Sequence, residues 1–159
     1  MKVICDASSL IALSRINALS LLERLFTQVI IPDAVYKELS RGKTKPGTNE
    51  ITQTRWIRTE SIKDRTYLEQ LHQSLHLGES EVIALAKEIE VDLIIMDDAH
   101  ARKIAEAAGL KVVGLLAILL DAKRNGLIKH IRPLLDELGK KGFFMDDDLY
   151  TALLQRAGE

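Results

Sequence analysis

Cysteine is almost missing from this chain of 159 residues. Cys5 stands alone, so no intramolecular disulfide can form, and a reducing, cytoplasmic compartment is the expectation. Histidine is sparse and scattered, at positions 72, 76, 100 and 130, which leaves no clustered His or Cys zinc site. Neither sign of charge dominates. The formal net charge is -1 and the sequence pI is about 6.4, so any nucleic-acid surface must be a local patch on a molecule that is not a polycation. No apolar run approaches the roughly 20 residues a membrane span needs. The start of the chain, with one Lys before a short apolar run, does not read as a signal peptide. There is no Walker A motif and no Gly-rich dinucleotide fingerprint, which weakens nucleotide-cofactor functions. Repeats, low-complexity tracts and linkers are missing too. One domain spanning 1–159 is expected, with C-terminal helices packed on its sheet.

Short apolar runs at 3–5, 28–31, 56–59, 92–96 and 111–113 read as strands. Helical patterns lie between them. The first carries Leu10, Leu13, Ile16 and Leu21 with a break after Asn17; the second opens at Pro32 and Asp33 and stops at Gly42. Others run over 64–76, after Gly78, up to Gly109, and over 115–124, 131–138 and 146–156. The loop RGKTKPGTNE, residues 41–50, is the one clear irregular stretch. Strands alternating with helices predict a three-layer α/β/α fold around a mainly parallel five-stranded sheet, in the order 3-2-1-4-5.

Acids fall at the ends of two of these strands. Asp6 follows the first, and Asp97 with Asp98 closes the fourth in IIMDDAHAR. In the order 3-2-1-4-5 those strands are neighbours at the switch point, where open α/β sheets bind ligands. Carboxylates gathered there repel one another unless a cation sits between them. Oxygen ligands without His or Cys point to Mg²⁺ or Mn²⁺. Each Asp taken alone reads equally well as a helix N-cap, and Asp146, Asp147 and Asp148 read as a cap and a solvated first turn. Glu38 lies one turn before the end of the second helix. Glu79 and Glu81 sit roughly 160° apart on another, flanking its apolar stripe from opposite sides, and periodicity does not choose between them.

The series DASSLI, IPDAVYKEL, GESEVIALA and IIMDDAHAR, in this order, resembles PIN-domain proteins, the ribonuclease fold of VapC-type toxins in toxin–antitoxin pairs. The resemblance covers nearly the whole chain. VVGLLAILLDAKRNGLI and LYTALLQRAGE resemble a PIN-like subgroup without an assigned function. It implies metal-ligating, catalytic acids at Asp6, Glu38, Glu81 and Asp98, with Ser8 supporting Asp6 and Asp97 assisting. Glu79 is left to the helix dipole or solvent. Two positions depart from the family pattern: Glu81 replaces the commoner Asp, and Met96 replaces a hydroxyl residue. The implied activity is Mg²⁺- or Mn²⁺-dependent hydrolysis of RNA phosphodiesters, with an antitoxin partner and a homodimer. Arg102, Lys103, Arg41, Lys43 and Lys45 are the candidate RNA-binding cations, with Arg102 the foremost. The competing reading is a PIN-like interaction protein with weak or lost nuclease activity. A haloacid-dehalogenase-like phosphatase is a third, but it wants Asp-x-Asp after the first strand, where this chain has Asp6, Ala7 and Ser8.

Overall fold

The computed structural model describes residues 1–41 and 48–159. Five strands form one sheet: β1 (Val3–Cys5), β2 (Val29–Pro32), β3 (Ile57–Glu60), β4 (Leu93–Ile95) and β5 (Val112–Val113). Their spatial order is β3-β2-β1-β4-β5, and every pairing is parallel. Helices flank the sheet, as the sequence predicts. The three central strands are buried along their whole length, which is why they read as continuous apolar runs and not as alternating patterns.

Ten helices connect and cover the strands among the described residues. The first seven are α1 (Ala7–Arg15), α2 (Ser20–Phe26), α3 (Asp33–Arg41), α4 (Thr48–Gln53), α5 (Arg65–His72), α6 (Leu77–Glu88) and α7 (Ala99–Ala107). Then come α8 (Leu115–Arg124), α9 (Arg132–Lys140) and α10 (Asp147–Arg156). None is long and apolar enough to cross a membrane.

Two helices differ from the sequence reading. Helix α4 occupies the end of the stretch read as a loop. Its single strong apolar residue, Ile51, is buried, and Glu50 accepts a 2.6 Å hydrogen bond from the Ser14 hydroxyl of α1. These tertiary contacts hold a segment whose own apolar signal is weak. Helix α6 starts at Leu77, capped by His76, so Gly78 lies inside its first turn. It packs against α3, α5 and the strands β1 and β2. Every residue from Gly78 to Ala86 is consequently buried, and the helix has no solvent face along that stretch.

Parallel register brings the carboxyl ends of β1 and β4 together. Cys5 pairs with Ile95, and the Asp6 amide extends the ladder by donating to the Ile95 carbonyl at 3.1 Å. Asp6 and Met96 thus leave the sheet side by side. At the other end of the chain, Glu159 ties α8 to α9: its carboxylate meets Lys123 at 2.9 Å and accepts from the Ile131 amide at 2.8 Å.

Candidate metal centre

Asp6 is the N-cap of α1, and its Oδ1 accepts from the Ser9 amide at 3.0 Å. The bland role is therefore real, yet it occupies only one oxygen. Oδ2 accepts from the Ser8 hydroxyl at 3.2 Å, so Ser8 does steady this carboxylate. The Asp6 side chain also borders a pocket of about 50 Å³, together with Ser8, Glu38, His76 and Glu79. Burial pushes its pKa up to about 6; hydrogen bonds from Ser9 and Ser8 pull the other way, and the nearby Asp97 charge adds to the rise. No cationic side chain pairs with Asp6 among the described residues.

Glu38 reaches the same pocket from α3. Its carboxylate passes close to a glycine. A Cβ added to Gly78 would lie 3.1 Å from Glu38 Oε2 and 3.5 Å from the His76 ring. A larger residue at this position in the first turn of α6 would push the Glu38 carboxylate aside by a few tenths of an ångström.

The two glutamates of α6 diverge. Glu79 lines the pocket with Asp6 and Glu38, 9% exposed, and its Oε1 stands 3.0 Å from His76 Nε2. Burial raises its pKa; the His76 ring opposes the rise and the Asp98 carboxylate reinforces it. Glu81 is 6% exposed, and its Oε1 accepts from the Ala34 amide at 3.2 Å, in the first turn of α3. One carboxylate faces Asp6 while the other is bonded to the N-terminus of a neighbouring helix. Glu79 is buried in the first turn of α6, where the dipole placement expected from the sequence coincides with a place on the pocket.

Asp97 and Asp98 also part company. Asp98 caps α7, accepting from the Ala101 amide at 2.8 Å, and its charge reaches Glu79. Asp97 turns toward α8. Its Oδ1 accepts from the Leu115 amide at 3.0 Å, and its Oδ2 accepts from the Ser9 hydroxyl at 3.4 Å. Burial raises the Asp97 pKa, against the pull of Leu115, Ser9 and Arg102. A Cβ on Gly114 would stand 2.6 Å from Asp97 Oδ1 and 3.3 Å from Arg102 Nη1, so Asp97 needs that glycine. Ser9 thereby links Asp6 to Asp97, through its amide on one side and its hydroxyl on the other.

The donor chemistry here is carboxylate and hydroxyl oxygen, which fits a hard divalent cation such as Mg²⁺ or Mn²⁺. In the arrangement described, no three His, Cys, Asp or Glu side chains among the described residues are gathered to hold a metal ion. Glu38 and Asp98 are solvent-exposed.

A family model described as "DUF3368: PIN domain" matches residues 2–159. The chain belongs to the PIN-domain family. A search of curated proteins finds no match. PIN domains are usually metal-dependent nucleases.

Of the cations singled out in the sequence, Arg102 faces Asp97 and moderates its charge, while Lys103 and Arg41 are exposed. Lys43 and Lys45 lie outside the described residues. Ser9 and the two close-approach glycines, Gly78 and Gly114, are the contributions the sequence reading missed, and Glu79, which it weighed against Glu81, stands on the pocket. The signal for Glu79 was local: His76 three residues before it has the spacing of a reciprocal N-cap pair.

Proposed function

We propose that this PIN domain is a ribonuclease that hydrolyses RNA phosphodiesters with Mg²⁺ or Mn²⁺ held by Asp6, Glu38, Asp98 and a glutamate of α6. The supporting observation is the buried Asp6 carboxylate, facing Glu38 and Glu79 across one small pocket with no Lys or Arg paired to it among the described residues. Such a cluster is costly unless a positive charge completes it. A bound metal supplies an acidified water and neutralises charge on the phosphate. The chain's own residues fix the receiving geometry. Ser8 and Ser9 hold the Asp6 carboxylate, Gly78 admits Glu38, and the α7 N-terminus holds Asp98. Glu79 is the α6 ligand favoured by its position on the pocket. The family resemblance favours Glu81, whose remaining oxygen would serve.

The test is incubation of a mixed RNA pool with the protein in Mn²⁺, in Mg²⁺ and in EDTA, beside Asp98→Asn. Metal-dependent cleavage lost in the variant supports the reading. Cleavage that survives EDTA overturns it. The finer role we infer is that of a homodimeric toxin held by an antitoxin, supported by the sequence resemblance to VapC-type proteins. Growth arrest on expression, relieved by a small protein encoded immediately upstream, tests it.

One observation favours a second reading, an interaction protein with weak or lost catalysis: the acids are not gathered into a ligand set as they stand. Calorimetric titration with Mn²⁺ separates the two. Binding that Asp98→Asn abolishes supports the nuclease, and no binding by the wild type supports the interaction protein.

A further inference from the structure

Three hollows meet at Glu38. The acid pocket is the middle one. On one side, between α3 and the start of α6, lies a hollow of about 470 Å³ bordered by Lys37, Glu38, Arg41, His76 and Leu77. On the other, between α1 and the end of α9, lies one of about 350 Å³ bordered by Ser8, Ile11, Arg15, Glu38, Lys141 and Phe143. Glu38 borders all three, His76 and Gly78 border the first two, and Ser8 borders the last two. The hollows therefore adjoin as one groove, with the acids at its middle.

The charges along the groove are ordered. Lys37 and Arg41 stand at one end, Arg15 and Lys141 at the other, and all four are exposed. None of the four makes an ion pair among the described residues. Other surface cations do find partners: Arg124 pairs with Asp121 and Lys140 with Glu137. The groove also shows apolar surface beside each cationic pair, Leu77 (43% exposed) on one side and Phe143 with Ile11 on the other. A polyanion whose bases are free to lie on apolar surface matches this alternation. A duplex, with its base faces stacked inside, does not.

We propose that a single-stranded polynucleotide lies along this groove, its backbone held by Lys37 and Arg41 on one side of the acids and by Arg15 and Lys141 on the other. The path centres one phosphate on Glu38 and Asp6. For the chemistry at its middle the proposal rests on the ribonuclease reading; for binding it does not.

Binding is measured in EDTA, where metal-dependent cleavage is stopped, by the fluorescence anisotropy of a labelled 12-nucleotide oligouridylate over a series of salt concentrations. Four phosphate contacts give a slope of log affinity against log salt of about -3. The double variants Lys37→Ala/Arg41→Ala and Arg15→Ala/Lys141→Ala should each weaken binding and flatten the slope by about 1.4. Lys111→Ala, at the opposite end of the parallel strands, should change neither. Glu38→Gln removes a repelling charge from the middle of the path and should tighten binding. A hairpin duplex of equal charge should bind more weakly than the single strand. Melting curves check that each variant is folded, and the exposure of all four cations makes unfolding an unimportant route. The path is overturned if only one pair matters, if neither does, if Glu38→Gln leaves affinity unchanged, or if the duplex binds as tightly. Two-armed binding without cleavage in Mn²⁺ would sink the ribonuclease reading and keep the groove. Cleavage without two-armed binding would do the reverse.

Discussion

Asp6 and Glu159 are carboxylates in the same local setting with opposite electrostatics. Each accepts a backbone amide at a helix N-terminus: Asp6 from Ser9 in α1, and Glu159 from Ile131 and Arg132 at the start of α9. Around Glu159 stand basic groups, the Lys123 ammonium at 2.9 Å and the His130 ring at 3.6 Å. Burial alone would push Glu159 up, but the hydrogen bonds from Ile131, Lys123 and Arg132 outweigh it and hold the carboxyl at about 2. Around Asp6 the neighbours are Glu38, Glu79 and Asp97, and burial holds it at about 6. A helix N-terminus stabilises an anion in both places. Only at Asp6 is the remaining stabilisation missing, and only there would a divalent cation supply it. The C-terminal acid serves the fold; the switch-point acid costs the fold something, a cost the proposed metal would offset.

The largest expected consequence is on activity. Asp6→Asn keeps an oxygen for the Ser9 amide and so keeps the cap, but it removes the charge. Loss of an outer-shell partner to a metal site costs 10–100-fold, and loss of a ligand should cost more, so RNA cleavage should fall by at least about 100-fold. Glu159→Gln should leave cleavage within about twofold, because charge there acts on α8 and α9 only. Initial cleavage rates of both variants in Mn²⁺ check this. Equal losses would erase the distinction between the two acids.

Next in size is the effect of pH on the metal-free protein. Because Asp6 is raised from 3.8 to about 6, the folded state keeps its proton at pH values where the unfolded chain has lost it. Stability therefore falls as pH rises from about 4 to 6, then levels off. The shift corresponds to a penalty of up to about 3 kcal/mol at neutral pH. Urea unfolding in EDTA across this range should show the falling limb in wild type and a clearly shallower one in Asp6→Asn, where only the raised Asp97 and Glu79 carboxyls remain. Adding Mn²⁺ at pH 7 should recover stability, by about 2.7 kcal/mol at a hundred times its Kd. A wild-type curve that rises from pH 4 to 6 would refute the assignment of strain to Asp6.

The topology was legible in the sequence because its determinants are local. Strands buried on both faces write themselves as apolar runs, and Asp, Gly and Pro punctuate the helices between them. The strand order then brought Asp6 beside Asp97 and Asp98. The reading of 146–148 as a cap also holds, since Asp146 accepts from the Leu149 amide at 2.7 Å. Side-chain direction was less legible. The comparison of Glu79 with Glu81 assumed one buried stripe on α6, whereas this helix is enclosed on every side from Gly78 to Ala86. Which acid faces Asp6 was then decided by the packing of α3 against α6, a relation between segments more than forty residues apart. Arg102 was singled out as an RNA-binding cation on the helix after Asp98; in the structure its charge acts on Asp97. Helix α4 was missed because TNEITQ contains one strong apolar residue, and its neighbours supply the rest.

Glu79 and Glu81 repeat the contrast between Asp6 and Glu159 within one helix. Glu79→Gln should weaken Mn²⁺ affinity by at least about tenfold, the lower bound set by metal-site partners. In Glu81→Gln the side-chain oxygen can still accept from Ala34, so the loss should be smaller. Calorimetric titration of the two variants side by side decides the order. The reverse order would give the ligand role to Glu81, as the family resemblance implies, and make Glu79 the partner of His76 only.

The smallest expected effect belongs to Glu159→Gln. The variant keeps the acceptors for Ile131 and Arg132 and loses only the charge that faces Lys123 and the α9 N-terminus. The charge-dependent share of such contacts is about 1 kcal/mol, or roughly 2–4 °C in Tm for a chain of this size. The sign with pH is opposite to that of Asp6. Glu159 is lowered from 4.5 to about 2, so its contribution is complete above pH 4.5 and disappears as pH falls from 4.5 to 2. Wild type should lose this increment on acidification through that window while Glu159→Gln does not, and the two curves should converge near pH 2. The limbs from Asp6 and Glu159 therefore slope toward each other, and their combined contribution to the metal-free protein peaks between about pH 4 and 4.5. In Asp6→Asn the Asp6 share of the falling limb is gone and the contribution from Glu159 should form a plateau from 4.5 upward. Urea unfolding of the two single variants and the double variant across pH 3–7 measures both limbs independently, because the sites share no hydrogen bond or ion pair and their effects should add. A double variant that departs from the sum by more than about 0.5 kcal/mol would mean that the two ends of the molecule are coupled, and that the stabilising acid and the chemical acid do not work separately.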